Sequence, residues 1–273
     1  MNAPEVLVTG VSSGIGRATA LHLAQLGFAV TGTVRDDAAG ERIRSAADDQ
    51  GTPIETLHLD LADPDACASA VGQRPWYGLV NNAGYFNAGL IEDVDRAAAR
   101  AQFEVMVLAP LDLARLVLPA MRRRGGGRIV NVSSGIVHLG APGTGWYQAS
   151  KQALSAVSDQ LRAEVAADGV EVVLVEPGGI RSEIWRRAEE DLRQLRAGST
   201  KRSAYDRSLS IIEALEDRMH PPGLVAEAIG RALRVRRPRT RYRVGPEVAV
   251  LRAAHAVLPD RVRDRLVRTI LGL

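Results

Sequence analysis

The 273-residue sequence predicts a single α/β domain, a doubly wound sheet of about seven mostly parallel strands with helices on both faces. Short apolar, β-branched runs recur along the chain and alternate with longer stretches in which apolar residues have helical spacing. This alternation is typical of βαβ units, whose parallel strands are buried on both sides. The predicted strands are residues 6–8, 29–34, 56–59, 79–80, 129–132 and 170–175.

A seventh strand is predicted within the basic run 231–243, which Pro238 interrupts. Tyr242 and Val244 alternate there with Arg241 and Arg243, the period of two that a strand requires. Charged side chains protect an exposed sheet edge from pairing with other chains, which favours an edge strand. A nucleic-acid site is the weaker interpretation, because no series of aromatic residues accompanies the arginines.

Composition favours a cytoplasmic enzyme. The hydrophobic content of 46% is enough for a core, and no apolar run approaches the roughly 18 residues of a membrane span. The first residues lack the basic start and long apolar stretch of a signal peptide, and the lone Cys67 cannot form an internal disulfide. A net charge of +3 does not imply nucleic acid as a partner.

The last third of the chain predicts a lid and a C-terminal helix pair. A charged helical stretch at 183–195 and a polar break at 198–201 indicate a lid over the substrate, at about 181–215. The tail, residues 248–273, has apolar residues at helical spacing. Either a docked pair of amphipathic helices or a membrane-surface helix fits this tail, and the docked pair is the simpler interpretation.

A glycine-rich turn follows the first strand and begins the first helix. Glycines let the backbone approach a pyrophosphate, and the N-terminus of the helix offers free N–H groups and a partial positive charge. Tight packing can also require glycine, so the turn alone is weak evidence for a nucleotide. The turn reads Thr9-Gly10-Val11-Ser12-Ser13-Gly14-Ile15-Gly16.

The end of the second strand predicts which nicotinamide cofactor binds. An acidic residue there would accept a hydrogen bond from the free 2′-hydroxyl of NAD, but the position holds Val34. The guanidinium of Arg35, which follows, matches a 2′-phosphate in fork geometry. Asp36 and Asp37 compete for this arginine, and a solvated loop arginine is the alternative. The sequence therefore favours NADP(H) over NAD(H).

Three further strand ends carry polar or glycine residues. Each of these signatures alone is also typical of an ordinary turn. Ligands of a doubly wound sheet bind at the carboxyl ends of its strands, which is where all three occur. They are Asp60-Leu61, Asn81-Asn82-Ala83-Gly84 and Pro177-Gly178.

The strongest catalytic signal is Tyr147 with Lys151 four residues later, on one face of a predicted helix. A neighbouring ammonium favours the phenolate, so we expect Lys151 to lower the pKa of Tyr147 toward general acid/base work. Apart from Lys201, this is the only lysine in the chain. Ser134 stands at the end of the strand 129–132, and its hydroxyl could hold a substrate oxygen. Capping a turn is the alternative for Ser134 and for the adjacent Ser133.

In order and spacing, these motifs resemble those of the short-chain dehydrogenase/reductase family over about residues 6–182. An arginine at position 35 is similar to the pattern of the branch that contains retinol and 17β-hydroxysteroid dehydrogenases. The resemblance implies that Tyr147 is the acid/base, that Lys151 holds the nicotinamide ribose and that Ser134 positions the substrate. It also implies that Asp60 lies at the adenine and that Ile180 and Ser182 flank the carboxamide. The implied cofactor-binding set is Gly10, Ser12, Ser13, Gly14, Ile15, Gly16, Arg35, Asp60, Leu61, Asn82, Ala83, Gly84, Tyr147, Lys151, Pro177, Gly178, Ile180 and Ser182, with no metal ligand.

Met106 departs from the family pattern, in which many members carry an asparagine at this place in the helix before the serine strand. The apolar neighbours of Met106 indicate a core side chain. The thioether of Met106 cannot supply the amide on which the family's water path for protons depends.

The predicted function is NADP(H)-dependent hydride transfer between nicotinamide and a carbonyl or secondary alcohol carbon. A dehydratase, epimerase or cyclase on the same scaffold is the alternative, and a non-catalytic nucleotide-binding regulator is a weaker one. We expect a largely apolar substrate and a homodimer or homotetramer. The predicted pocket borders are 85–90, 136–146 and 181–210, and they offer Tyr85, Phe86, His138, Trp146 and Trp185.

Overall fold

The computed structural model describes residues 3–138, 140 and 143–271, and its strands form one sheet in the order β3-β2-β1-β4-β5-β6-β7. Every neighbouring pair is parallel, so the predicted doubly wound sheet is confirmed and is wholly rather than mostly parallel. Leu139, Ala141 and Pro142 of the predicted pocket border, and residues 272–273 of the predicted tail, lie outside the described residues. The strands are β1 (Glu5–Val8), β2 (Ala29–Val34), β3 (Glu55–His58), β4 (Gly78–Asn81), β5 (Gly127–Val132), β6 (Val170–Pro177) and β7 (Arg241–Val244).

Helices cover both faces of the sheet. On one face, α1, α2 and α9 enclose one apolar core with residues such as Val173 and Val175 of β6. On the other face, α3 and α5 enclose a second core with Val170 and Val172. This burial on both sides explains why the strands read as continuous apolar runs. The helices are α1 (Gly14–Gln25), α2 (Asp37–Asp48), α3 (Pro64–Val71), α4 (Arg96–Phe103), α5 (Ala109–Arg123), α6 (Gly145–Glu164), α7 (Glu183–Arg196), α8 (Arg202–Glu216), α9 (Gly223–Arg234), α10 (Pro246–Val257) and α11 (Asp260–Leu271).

Strand β7 is the predicted edge strand, and its arginines do more than protect an edge. Arg241 donates to the fully buried carboxylate of Glu176 over 2.5 Å and also pairs with Asp159. Arg243 lies 3.1 Å from the same Glu176 carboxylate. Because a buried charge is strongly destabilising without partners, these arginines fix β7 against β6.

The predicted lid is the helix pair α7 and α8, separated by residues 197–201, which include the predicted polar break at 198–201. The pair packs on a small apolar cluster apart from the main cores, made of Phe86, Ala88, Ala188, Leu192, Tyr205 and Ile212. The C-terminal pair α10 and α11 also forms, with Val248 buried while Val250 and Val257 are exposed. None of the helices in the described part of the chain is both long enough and apolar enough to cross a membrane.

Candidate active site

The glycine turn between β1 and α1 forms an open cradle. Gly10 and Gly14 adopt positive φ angles of 72° and 54°, which side chains with a Cβ rarely tolerate. A Cβ on Gly16 would lie 2.0 Å from the Gly10 carbonyl oxygen, so the helix begins very close to the turn. Ser12 and Ser13 are exposed, and no side chain caps the helix N-terminus. The cradle therefore fits a pyrophosphate.

The residues that follow β4 hold this turn in place through hydrogen bonds. The hydroxyl of Thr9 accepts the backbone N–H groups of Asn82 and Ala83 at 3.0 and 2.9 Å. In return, the Asn82 amide donates to the Thr9 carbonyl oxygen at 2.9 Å and to that of Gly10 at 3.3 Å. Asn81 faces the other way, and its amide donates to Asn131 at 2.8 Å. The structure thus brings two of the predicted motifs together, with Asn82 as their link.

A cleft of about 790 Å³ lies beyond the carboxyl ends of β2, β3 and β4. Burial raises the pKa of Tyr85 in this cleft, and the positive charge of the nearby Arg35, which also lines the cleft, opposes the rise. Of the two acids predicted to compete for Arg35, Asp36 accepts the Ala39 N–H at 2.7 Å as the cap of α2, and Asp37 contacts His58. The cleft is lined by Arg35, Asp60, Ala62, Tyr85, Phe86, Asn87, Arg100, Ala101, Glu104, Val105, Arg187, Glu190 and Asp191.

One residue of the predicted cofactor-binding set lies away from this cleft, and two residues that line it were not predicted. Leu61 does not line it, and its side chain packs instead against the core beneath α3 and α5. Arg100 and Glu104 line it but carry no sequence signal, because a charged pair four residues apart is an ordinary feature of a solvated helix face.

Tyr147, Lys151 and Ser134 come together where α6 packs against the end of β5. A side-chain hydrogen bond joins Ser134 to the Tyr147 phenol. The Lys151 ammonium donates to the Val132 carbonyl oxygen at 2.8 Å and lies 5.8 Å from the centre of the Tyr147 ring. The adjacent Ser133 faces α6, where its hydroxyl lies 2.8 Å from that of Ser155. The geometry thus brings Ser134, and not Ser133, to the phenol.

Burial controls the protonation of this group. Removal from water raises the pKa of Tyr147 to about 12, opposed by the hydrogen bond from Ser134. Burial likewise lowers the pKa of Lys151 to about 8. The expectation that Lys151 would bring the pKa of Tyr147 below its ordinary value is therefore wrong in direction. At neutral pH the structure holds a protonated phenol beside a mostly charged ammonium.

The loop after β6 meets the glycine turn. A Cβ on Gly14 would lie 3.1 Å from the Ser182 Cβ, so the two loops approach each other across the top of the sheet. Ile180 in this loop is buried, and its carbonyl oxygen accepts the indole N–H of Trp185 at 2.8 Å. The structure therefore gathers the predicted 177–182 motif and the predicted 9–16 motif at one site.

Aromatic side chains form one wall next to the phenol. The Phe86 ring lies 4.9 Å from the Tyr147 ring and 6.2 Å from the Trp185 ring, measured between centroids. Two other predicted pocket residues face elsewhere: Trp146 packs edge-on against Phe103, and His138 contacts the buried Glu176 at 3.2 Å. The wall beside Tyr147 is therefore apolar.

Met106 lies in a π-helical segment, Glu104–Leu108, that joins α4 to α5. Its side chain is only 1% exposed, and its sulfur accepts the Ser150 hydroxyl at 3.8 Å. The prediction of a core methionine is confirmed, and the single turn of π-helix is a feature that often occurs near functional sites.

Met106→Asn is expected to leave turnover within about threefold of wild type. Ser134, Tyr147 and Lys151 stay in place, and the new amide must find partners in a site that now holds a thioether. The check is steady-state turnover in light and heavy water, after thermal unfolding has shown that the variant is folded. A much faster variant that has lost a large wild-type solvent isotope effect would mean that the missing amide limits proton supply.

The family model for short chain dehydrogenases matches residues 4–193, which include the glycine turn, Ser134, Tyr147 and Lys151. The chain belongs to the short-chain dehydrogenase family. This short-chain dehydrogenase is 32% identical over 275 residues to the NADPH-dependent 3-dehydrocapnine reductase of Ornithobacterium rhinotracheale, covering 95% of this chain and 94% of that protein. It is also 31% identical to retinol dehydrogenase 5 of Mus musculus, covering 97% of this chain and 88% of that protein. This similarity confirms the predicted branch of the family.

Two solved structures extend this likeness. A short-chain dehydrogenase from Streptomyces avermitilis has a TM-score of 0.77 and 32% identity, with 97% of this chain and 95% of that chain covered. A short-chain dehydrogenase from Sphingobium yanoikuyae in complex with NADPH has a TM-score of 0.75 and 25% identity, with 96% and 94% covered. This short-chain dehydrogenase is an oxidoreductase of that family, and helices α8 to α11 lie beyond the residues matched by the family model.

Proposed function

We propose that this short-chain dehydrogenase is an NADPH-dependent carbonyl reductase that also oxidises the corresponding secondary alcohol. The observation that carries the proposal is the half-buried, protonated Tyr147 phenol, bonded to Ser134 and within one helical turn of Lys151. A proton donor beside a hydrogen-bonding hydroxyl, under an apolar wall, suits the reduction of a C=O group.

The residues of the site fit a nicotinamide dinucleotide phosphate. The open glycine cradle from Gly10 to Gly16 would hold the pyrophosphate, and Arg35 in the cleft would hold the 2′-phosphate. Asp60 would lie at the adenine, Asn82, Ala83 and Gly84 beneath the cradle, and Lys151 at the nicotinamide ribose. The loop with Pro177, Gly178, Ile180 and Ser182 would lie at the carboxamide. When bound, the cofactor supplies the hydride that the substrate carbon accepts.

The preference for NADP(H) over NAD(H) has two kinds of support. Asp36 and Asp37 have other contacts, which leaves the Arg35 guanidinium available to a phosphate in the cleft. The 3-dehydrocapnine reductase is named as NADPH-dependent, and the Sphingobium structure contains NADPH.

The chain's own groups divide the acid/base work. Tyr147 is protonated at neutral pH and donates this proton to the substrate oxygen as the C–H bond forms. The Ser134 hydroxyl holds the same oxygen and keeps it in line with the phenol. Charge then develops on the Tyr147 oxygen, and the Lys151 ammonium stabilises it.

The substrate class follows from the wall beside Tyr147. Phe86 and Trp185 would contact a largely apolar carbonyl compound, and the charged residues farther along the cleft would contact a polar handle. The retinol dehydrogenase relative supports an apolar alcohol or carbonyl compound as substrate. We also propose that the protein is a homodimer or homotetramer in the cytoplasm.

A panel of ketones, aldehydes and secondary alcohols, followed by the absorbance of the reduced nicotinamide, tests this function. Consumption of NADPH in step with alcohol formation supports a reductase. Product without NADPH consumption would instead indicate a dehydratase, epimerase or cyclase, and tight NADPH binding without turnover of any compound would indicate a regulator.

We propose further that α7 and α8 close over the substrate. Polar contacts tie the two helices to the loop after β4: Asp191 accepts the Ala88 N–H at 3.3 Å, and the Tyr205 hydroxyl accepts the Leu90 N–H at 3.1 Å and donates to Asp93 at 2.7 Å. These contacts and the small apolar cluster lie apart from the two main cores, so the helix pair can open partially without unfolding the sheet.

Limited proteolysis is expected to cut at the break between α7 and α8, residues 197–201, and to slow clearly when NADPH and a product alcohol are bound. Fragment masses report the site and densitometry reports the rate. Cleavage at the same rate with and without ligands would contradict a lid, and a protease site in another exposed loop provides the internal control.

A further inference from the structure

The loop after β6 is held by two residues that lie beyond the segment matched by the family model. The Gly179 N–H donates to the Glu247 carboxylate at 3.0 Å, and the Gly179 carbonyl oxygen accepts the His220 N–H at 2.9 Å. The Arg181 N–H in turn donates to the His220 carbonyl oxygen at 3.0 Å. Glu247 is in the first turn of α10, and His220 lies between α8 and α9.

The two side chains also contact each other. One oxygen of Glu247 accepts from the loop backbone, while the other lies 3.3 Å from His220 Nε2. The carboxylate therefore joins three separate parts of the chain: the loop, the α8–α9 connection and α10. An acid at this position is also favourable because it lies at the positive end of the α10 dipole.

Two glycines make room for this carboxylate. A Cβ on Gly178 would lie 1.8 Å from the Glu247 carboxylate, and one on Gly245 would lie 2.4 Å away. Gly245 also has a φ of 104°, which directs the chain from β7 into α10. The glycine after Pro177, which the sequence predicts as a cofactor-binding residue, is thus also needed for the approach of Glu247.

Two further backbone groups of the loop are held as well. The Gly178 N–H donates to the Val244 carbonyl oxygen at 2.8 Å, and the Ile180 carbonyl oxygen accepts from Trp185. The loop cannot shift without breaking several of these bonds together. Such support positions a binding group accurately, and an error of about 1 Å there is costly.

We propose that Glu247, paired with His220, is a positioning residue that fixes the loop from Gly178 to Arg181 and thereby sets the affinity for NADPH. This inference rests on the proposed function, because that function puts the nicotinamide at this loop. Glu247 supports the loop through the backbone N–H of Gly179. It therefore acts on cofactor binding rather than on proton transfer.

The test compares Glu247→Ala with Glu247→Gln, which keeps an acceptor oxygen for the Gly179 N–H. Glu247→Ala is expected to weaken NADPH binding about tenfold, the worth of one hydrogen bond to a charged group, with kcat at saturating NADPH nearly unchanged. Glu247→Gln should recover most of the affinity. Binding is measured by titration of NADPH fluorescence, and Glu227→Ala on α9 is the matched control for loss of an exposed carboxylate.

Hydrogen exchange of the cofactor-free protein provides a readout that does not depend on activity. The peptide containing Gly179 should exchange faster in Glu247→Ala than in wild type, while peptides from β5 stay unchanged. If Glu247→Ala does not fold, His220→Ala is measured in its place with the same expectation. Wild-type NADPH affinity in the alanine variant, or equal losses in the alanine and glutamine variants, would overturn the proposal. Absence of NADPH binding by the wild type would instead contradict the proposed function.

Discussion

Replacing Tyr147 with phenylalanine is expected to lower turnover about a thousandfold, the middle of the range for a general acid/base. The phenol is the group that holds a proton beside Ser134, and burial keeps it protonated by raising its pKa to about 12. Affinity for NADPH should change little, because the phenylalanine ring keeps the packing against Phe86. Steady-state kcat and a direct NADPH titration measure the two effects separately.

Tyr242→Phe is a suitable control for this variant, because it removes a phenol from the edge strand and should leave turnover unchanged. A Tyr147→Phe protein that is folded, binds NADPH and turns over at near-wild-type rates would mean that another group moves the proton.

Arg35→Ala is expected to weaken NADPH binding about tenfold to a hundredfold and to leave NADH binding almost unchanged. The variant loses a charge-assisted contact to the 2′-phosphate, which NADH does not have. The structure supports this selectivity because Asp36 caps α2 and Asp37 contacts His58, so that neither acid neutralises Arg35 directly. Titration of both cofactors against both proteins gives the four constants needed.

Arg42→Ala, on the exposed side of α2, controls for loss of a positive charge near the site. Equal affinity of the wild type for NADPH and NADH, or an Arg35→Ala variant with unchanged NADPH affinity, would contradict the assignment of Arg35.

The fold could be predicted because its physics is local and repetitive. β-branched runs such as that of β6 are buried on both faces, and the alternation of Arg241 to Val244 shows an edge strand. The motif residues stand at strand ends and on one helix face, among them the glycines of the first turn, Ser134, Tyr147 and Lys151. Their order along the chain was therefore enough to indicate which strand ends and which helix face would meet.

The remaining features depend on distant contacts or on burial. Nothing near Gly179 in sequence points to Glu247, which is 68 residues away. The predicted direction of the pKa shift of Tyr147 is wrong, because residue spacing reveals the neighbouring Lys151 but not the loss of water around the phenol. The π-helical turn at Met106 also leaves no signal in an apolar run, since it concerns backbone hydrogen bonds.

The most direct test of the central claim follows a labelled hydride. The protein is incubated with carbonyl compounds and NADPH deuterated at the transferable ring position, each epimer separately, and the alcohols are examined by mass spectrometry. We expect one epimer to give an alcohol with one deuterium on its carbinol carbon, and Tyr147→Phe to give almost none. A product that carries no deuterium from either epimer, or NADPH that stays reduced while product forms, would contradict hydride transfer as the function of this site.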